Sequence, residues 1–209
     1  MAIVLTVLII LAILLLSEAH WRRKPNHSEL SRKVVHISVG SFVAFWPFFL
    51  SWNEIKLLSV AFLIVVSISK SKRIFQAIHS VQRPTWGEVY FALAVGSIAF
   101  VTNDKWVYMA ALLLMSLADG LAAVIGVRYG KKQRYLVFGQ TKSIIGTATF
   151  FVVAAIILIA YSIYAPGVSL NIGLLVVAVL ATGIENIGIA GLDNLLVPLL
   201  AAYLLTMIH

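Results

Sequence analysis

The chain has 209 residues, 61% of them hydrophobic and only 11% charged, with a formal net charge of +8. A soluble domain is about 45–50% apolar and about 25% charged, so the composition describes an integral membrane protein and leaves no room for a separate soluble domain. The absence of cysteine excludes disulfides and thiolate metal sites, and the positive balance reads as the Lys and Arg of a cytoplasmic membrane face rather than as a nucleic-acid surface.

Eight apolar runs follow one another. The first, Ala2–Leu16, has no positive side chain before it and Arg22-Arg23-Lys24 after it. It reads as a retained first helix with its N-terminus outside, although Ser17-Glu18-Ala19 faintly resembles a signal cleavage site. The basic triplet reads as topology or contact with anionic head groups. The same orientation makes the glycosylation pattern Asn26-His27-Ser28 irrelevant. The second run, Val34–Leu50, opens with His36 and Gly40, and a turn at Asn53-Glu54 leads to the third, Ile55–Ile68. A loop with Lys70, Lys72, Arg73, Arg83, Pro84, Gly87 and Glu88 precedes the fourth, Val89–Val101. Asn103-Asp104-Lys105 turns into the fifth, Trp106–Val127, which carries Asp119. The basic loop Arg128–Lys142 separates it from the sixth, Ile144–Tyr164, and Ala165-Pro166-Gly167 is a turn. The seventh, Ile172–Ile184, stops at Glu185-Asn186, and Gly188 and Gly191 lead to Asp193-Asn194 and the last run, Leu195–Ile208.

Several runs are shorter than the ~20 residues of a perpendicular span. The expected fold is therefore an all-α polytopic bundle of seven to eight apolar segments, with one free to be re-entrant. The chain is taken as a single transmembrane domain, 1–209, with 1–17 as a peripheral first helix. The loops after runs one, three and five hold 5, 4 and 5 Lys or Arg, and Lys56 and Lys105 lie at the opposite turns. That asymmetry puts the three basic loops in the cytoplasm. Alternation then collects every candidate for chemistry at the cytoplasmic surface: Arg32, Lys33 and His36; Glu88; Asp119; Lys131 and Lys142; Glu185, Asp193 and Asn194.

Asp119 is the centre of this set. It lies nine residues before Arg128, roughly 13 Å below the loop at 1.5 Å per residue. An ionised group at that depth faces the bundle interior and needs a partner: either a buried Lys or Arg, or a metal or substrate. Ala122, Ala123, Gly126 and Gly130 share its helix face, which is otherwise nearly bare. Arg128, Lys131, Lys132 and Arg134 follow in the loop. Lys142-Ser143 then opens a helix, where a cation, a hydroxyl and unpaired backbone N–H groups form an anion site, with Gly146 one turn inside. It is not a Walker A loop, because Thr141 stands where that motif has glycine. His36 shares a face with Arg32 and Gly40. The glycine-interrupted stretch from Glu185 to Asn194 is a second acidic cluster of the kind that marks binding sites in membrane bundles.

Four pieces carry a family resemblance: Arg32-Lys33-x-x-His36-x-x-x-Gly40; Asp119-x-x-Ala122-x-x-x-Gly126-x-x-x-Gly130-Lys131; Lys142-Ser143-x-x-Gly146; and Asp193-Asn194-x-x-Val197-Pro198-Leu199. In this order they resemble the CTP-dependent lipid-alcohol kinases, which include dolichol kinase, phytol kinase and the yeast-type diacylglycerol kinase. The resemblance covers residues 32–199, the kinase-like core, and leaves the first helix outside. One departure is Ile145, where that family usually carries a Glu. The resemblance implies transfer of the γ-phosphoryl group of CTP to a membrane-embedded alcohol, with Mg2+. Asp119, Lys142 and His36 are the catalytic candidates. Arg32, Lys33, Arg128, Gly130, Lys131, Lys142, Ser143 and Gly146 are the nucleotide or phosphate candidates, and Asp119, Glu185, Asp193 and Asn194 the metal candidates. The runner-up is a phosphatidate cytidylyltransferase, whose His-Gly-Gly and Asp-Arg signature is replaced here by Ala190-Gly191-Leu192-Asp193-Asn194. A small anion transporter is a third reading, weakened by the lack of an inverted repeat. The acceptor, the host membrane and the oligomeric state are not written in the sequence.

The charge asymmetry makes a topological prediction. Single cysteines placed in the loops at 18–33, 70–87 and 128–142 should stay unlabelled when intact cells meet an impermeant thiol reagent, and label after permeabilisation. Labelling near Arg134 from outside intact cells would reverse the orientation.

Overall fold

The computed structural model describes residues 1–23, 28–72 and 86–208. Lys24, Asn26-His27 of the glycosylation pattern, Arg73, Arg83 and Pro84 lie outside the described residues. The described chain forms eight helices: α1 (Ala2–Arg23), α2 (Ser28–Ala44), α3 (Trp52–Lys72), α4 (Gly87–Val101), α5 (Lys105–Tyr129), α6 (Ile144–Tyr164), α7 (Ile172–Ile187) and α8 (Asp193–Ile208). They match the eight apolar runs, and α1, α3, α5 and α6 are long and apolar enough to cross a membrane. The chain is an all-α membrane protein.

Side chains start the helices where the first backbone N–H groups lack partners. Ser51 and Glu54 form a capping box ahead of α3, with the Ser51 N–H and hydroxyl donating to Glu54 Oε2 at 2.7 and 2.8 Å. Asp104 Oδ1 accepts from the Trp106 and Val107 N–H groups at 2.7 and 3.0 Å. Ser143 and Asn171 cap α6 and α7 in the same way.

α5 is the central helix. In its most apolar stretch 61% of the residues are buried, against 33% or less in the other three long helices. It packs against α2, α6 and α8, while α3 and α4 pair beside it and α1 rests on α2. Small residues set these approaches. A Cβ on Gly40 would lie 2.3 Å from Ser116 Cβ, and one on Gly120 2.1 Å from Ile37 Cγ1, so α2 lies tight along α5. A Cβ on Gly126 would lie 3.2 Å from Gly146 Cα, which brings the α5 and α6 backbones together. Within α5, Leu114–Ala118 is a π-helical turn that ends just before Asp119. Such a turn adds one residue to the helix and rotates the residues beyond it, a device common at functional sites.

The basic loop is not irregular. Arg134–Val137 (β1) pairs antiparallel with Gln140–Ser143 (β2). The two-residue connection, Phe138-Gly139, has φ of 46° and 76°, the sign that a type I′ hairpin turn demands at both positions. Gly139 takes it freely, and Phe138 takes it against its steric preference.

Gly126→Val would drive a branched side chain into the α6 backbone. The expected loss is about 1–3 kcal/mol, read as a lower Tm in detergent. An unchanged Tm would mean that the α5–α6 contact is looser than the Gly126–Gly146 approach.

Candidate active site

The eight helices alternate in direction, so the N-terminal ends of α2, α4, α6 and α8 and the C-terminal ends of α1, α3, α5 and α7 share one end of the bundle. Contacts across them fix this arrangement: Lys33 with Asp119, Lys70 with Glu88, Lys142 with Glu185, and Asn194 with the Gly87 carbonyl.

Asp119 is 6% exposed. Lys33, itself 8% exposed, donates through Nζ to Asp119 Oδ2 at 2.6 Å. His36 Nε2 lies 3.4 Å from the same oxygen and 2.9 Å from the Met115 carbonyl oxygen. That carbonyl can only accept, so Nε2 carries the ring proton and the neutral ring keeps Nδ1 as its acceptor. From the other side, Lys142 Nζ donates to Glu185 Oε1 at 2.5 Å and to the Glu185 carbonyl oxygen at 2.6 Å. Burial works against the Lys142 ammonium, but the charge and hydrogen bond of Glu185 hold its pKa above the ordinary lysine value, so it is charged at neutral pH.

Asp119, Glu185 and Asp193 each offer a carboxylate oxygen, and these oxygens lie within 4.8 Å of one another. Three carboxylates thus meet two ammonium groups, Lys33 and Lys142, in a largely buried space. The set suits a hard divalent cation: all donors are oxygens, one negative charge exceeds the two lysines, and the span is that of a six-oxygen shell, about 4–5 Å across. Asp193 opens α8. A Cβ on Gly188 would lie 2.6 Å from Asp193 Cβ, so the glycine before α8 is what lets the carboxylate turn back toward α7.

The structure does not gather every predicted residue here. Asn194 gives its Nδ2 to the Gly87 carbonyl at 3.0 Å, which leaves Oδ1 as its acceptor. Arg128 and Lys131 are exposed, and the Arg128 guanidinium lies over the ring of its neighbour Tyr129. Gly130 and Gly146, expected at a phosphate site, lie against Ser143. Both glycines make room for Ser143, whose Oγ would sit 2.4 and 2.9 Å from a Cβ at these positions. The Gly146 N–H donates to Ser143 Oγ at 3.1 Å, and the Ile144 N–H to the Gln133 carbonyl at 3.0 Å. Two of the N–H groups expected to meet an anion at the start of α6 are therefore already bonded. The space expected beside Ala122 and Gly126 is likewise filled by Ser143 and α6.

Sequence reasoning missed Tyr135. Its hydroxyl, Thr147 Oγ1 and Asn186 Oδ1 form a close triangle, in which the two hydroxyls share their two protons between each other and the amide oxygen, and this ties the hairpin to α6 and α7. Alternation of exposed and half-buried residues through Arg134–Val137 is the period of a strand, and the Gly139 turn was the signal available for it.

A carboxylate trio flanked by two lysines at the polar end of a membrane bundle has the parts of a phosphotransferase working at the lipid surface. Relatives agree. The phytol kinase of Synechocystis sp. is 31% identical over 195 residues, which covers 90% of this chain and 83% of that one. Phytol kinase 1, chloroplastic, of Arabidopsis thaliana is 27% identical over 92% of this chain and 72% of its own. Probable phytol kinase 2, chloroplastic, of rice is 27% identical over 90% and 69%. No family model and no solved structure gives a significant match. The chain belongs to the lipid-alcohol kinase family that contains the phytol kinases. It is a phosphotransferase with an alcohol acceptor, so the cytidylyltransferase and transporter readings are set aside.

Tyr135→Phe removes the hydroxyl that joins the hairpin to Asn186 and Thr147, which keep their bond to each other. Local opening of the hairpin should become easier by about 1 kcal/mol or more. Trypsin should cut at Lys131, Lys132 or Arg134 several-fold faster, with little change in the Tm of the bundle. Equal cleavage rates would show that the triangle does not hold the hairpin.

Proposed function

We propose that the chain transfers the γ-phosphoryl group of CTP to an isoprenoid alcohol of the phytol class, at the cytoplasmic face of a multi-pass bundle. The observation that carries this reading is the convergence of Asp119, Glu185 and Asp193 between Lys33 and Lys142. The acceptor class follows from the names of the relatives, and the nucleotide from the resemblance in the motifs. The face follows from the charge asymmetry of the loops. Residues 32–199 form the catalytic core within the single domain 1–209.

In this mechanism Asp119, Glu185 and Asp193 would hold Mg2+, with Asn194 as a further candidate ligand. The cation supplies charge neutralisation for the phosphoryl oxygens. Lys33 and Lys142 exchange part of their carboxylate contacts for triphosphate oxygens. Ser143 Oγ accepts from Gly146 and keeps its own proton to donate. Arg128 and Lys131 stand outside as contacts for the rest of the nucleotide, and Arg32 as a cation at the rim. The acceptor hydroxyl gives its proton to His36 Nδ1 as its oxygen bonds to the γ-phosphorus. The bond from that phosphorus to the bridging oxygen breaks, and CDP leaves. The residues supply alignment and fixed charge, which is most of what phosphoryl transfer requires.

Purified protein should move label from γ-labelled CTP to phytol in a Mg2+-dependent way. An ATP preference of about tenfold or more, ~1.4 kcal/mol, would overturn the nucleotide and leave the kinase. Asp119→Asn keeps the size and removes the charge. Turnover should fall by about two orders of magnitude or more, roughly 2.7 kcal/mol of transition-state stabilisation, in a protein that still folds. If Asp119 serves only as the counter-ion of Lys33, the loss appears in Tm, and turnover at a temperature where the variant is folded stays near normal. A stable variant with near-normal turnover would end the metal assignment.

A further inference from the structure

A cavity of about 300 Å3 opens between α1, α2, α3 and α4. Its walls are almost wholly apolar, and its polar groups sit at one end, where Arg32, His36, Glu88 and Asn194 line it. His36 is 3.4 Å from Asp119, and Asn194 follows Asp193 of the carboxylate trio. The mouth of the cavity and the charged cluster therefore share a wall. At the other end stands Trp46, which is 1% exposed and follows the end of α2. One side is made by α1 through Val7, Leu11 and Leu14, although this helix carries none of the proposed chemistry.

We infer that this cavity holds the chain of the acceptor alcohol, with the hydroxyl at His36, and that Trp46 sets the length it accepts. The inference rests on the kinase reading and adds to it the shape of the substrate. His36 and Trp46 are ten residues apart, about 15 Å along the helix direction. An extended chain advances about 1.2 Å per bond, so the slot takes roughly twelve chain atoms below the hydroxyl, or three to four isoprene units with the mouth included. The volume lies at the lower end of the range for small-molecule sites, about 300–1,000 Å3. It suits one branched chain, not the two acyl chains of a diacylglycerol, and a long polyprenol meets Trp46. The first helix then serves as a wall of the acceptor slot, so it belongs to substrate selection and not only to anchoring.

The test is a chain-length series of geraniol, farnesol, geranylgeraniol and a long polyprenol, assayed on the full chain. For the unaltered protein kcat/KM should rise to farnesol or geranylgeraniol and fall for the polyprenol. Ala61 lines the slot from an exposed position on α3, eight residues below Ser69 at the mouth. Ala61→Phe should block the deep half, lowering kcat/KM for geranylgeraniol by about tenfold or more while geraniol stays within about twofold. Trp46→Leu should shift the optimum toward longer chains. A flat length profile, or an equal loss on all acceptors in Ala61→Phe, would overturn the slot and leave the kinase. A tail-diazirine farnesol read by peptide mapping makes binding independent of turnover. It should label α1 near Leu11 and be displaced by geranylgeraniol. Labelling of Leu11 by a diazirine phosphatidylcholine that geranylgeraniol does not displace would make the cavity a seat for a bilayer lipid. If no alcohol is phosphorylated but the farnesol label is displaced, the kinase reading fails and the slot stands. If neither occurs, both fail.

Discussion

The Lys33–Asp119 pair is the contact on which the polar end of the bundle depends. A carboxylate and an ammonium group buried among apolar helices are each costly alone, and each is tolerable only beside the other. At 2.6 Å the pair fixes the rotation of α2 against α5. The same need repeats on the far side, where Lys142 reaches Glu185 from β2. Asp193 completes a set in which the acids outnumber the lysines. In the proposed reaction that excess would favour a cation, and the lysines would exchange carboxylate contacts for phosphate oxygens.

The surrounding backbone is shaped to bring these groups together. Gly40 against Ser116 and Gly120 against Ile37 draw α2 onto α5, close enough for a lysine one turn from the helix start to reach the carboxylate. The π turn at Leu114–Ala118 rotates Asp119 relative to the first half of α5. Gly126 and Gly146 bring in α6, which carries Lys142 and Ser143 at its head. The glycines of the Asp119 and Lys142-Ser143 motifs are therefore understood through helix approach. They let the helices that carry the cations and acids of the proposed site come together.

The bundle is divided into a charged end and an apolar slot, and His36 and Asn194 belong to both. His36 gives one ring nitrogen to the Met115 carbonyl and lies against Asp119. Asn194 is held by α4 through Gly87. A lipid acceptor must leave its tail in an apolar medium while its hydroxyl reaches an ionic site, and two residues shared between the regions are the shortest junction that permits this. The hairpin, tied by Tyr135 to α6 and α7, keeps the Lys142 strand in register at the same end.

The sequence by itself determined what is periodic or summed. Eight apolar runs became eight helices because burial in a bilayer requires long apolar segments with internal hydrogen bonds. The basic loops favoured one orientation, Asp119 had to face inward, and Ser143 was legible as a helix start. The tertiary structure decided what depends on contacts between distant segments. The partner of Asp119 is 86 residues away, and no local pattern selects Lys33 over Arg32, since one residue is a rotation of about 100° on a helix. The basic loop is a hairpin whose Tyr135 finds partners on α6 and α7. Arg128 and Lys131 face solvent, the N–H groups at the start of α6 are bonded within the protein, and the apolar slot exists only where four helices diverge. Helix formation and sidedness are local or additive properties, whereas charge pairing and cavities follow from how the helices are rotated against one another.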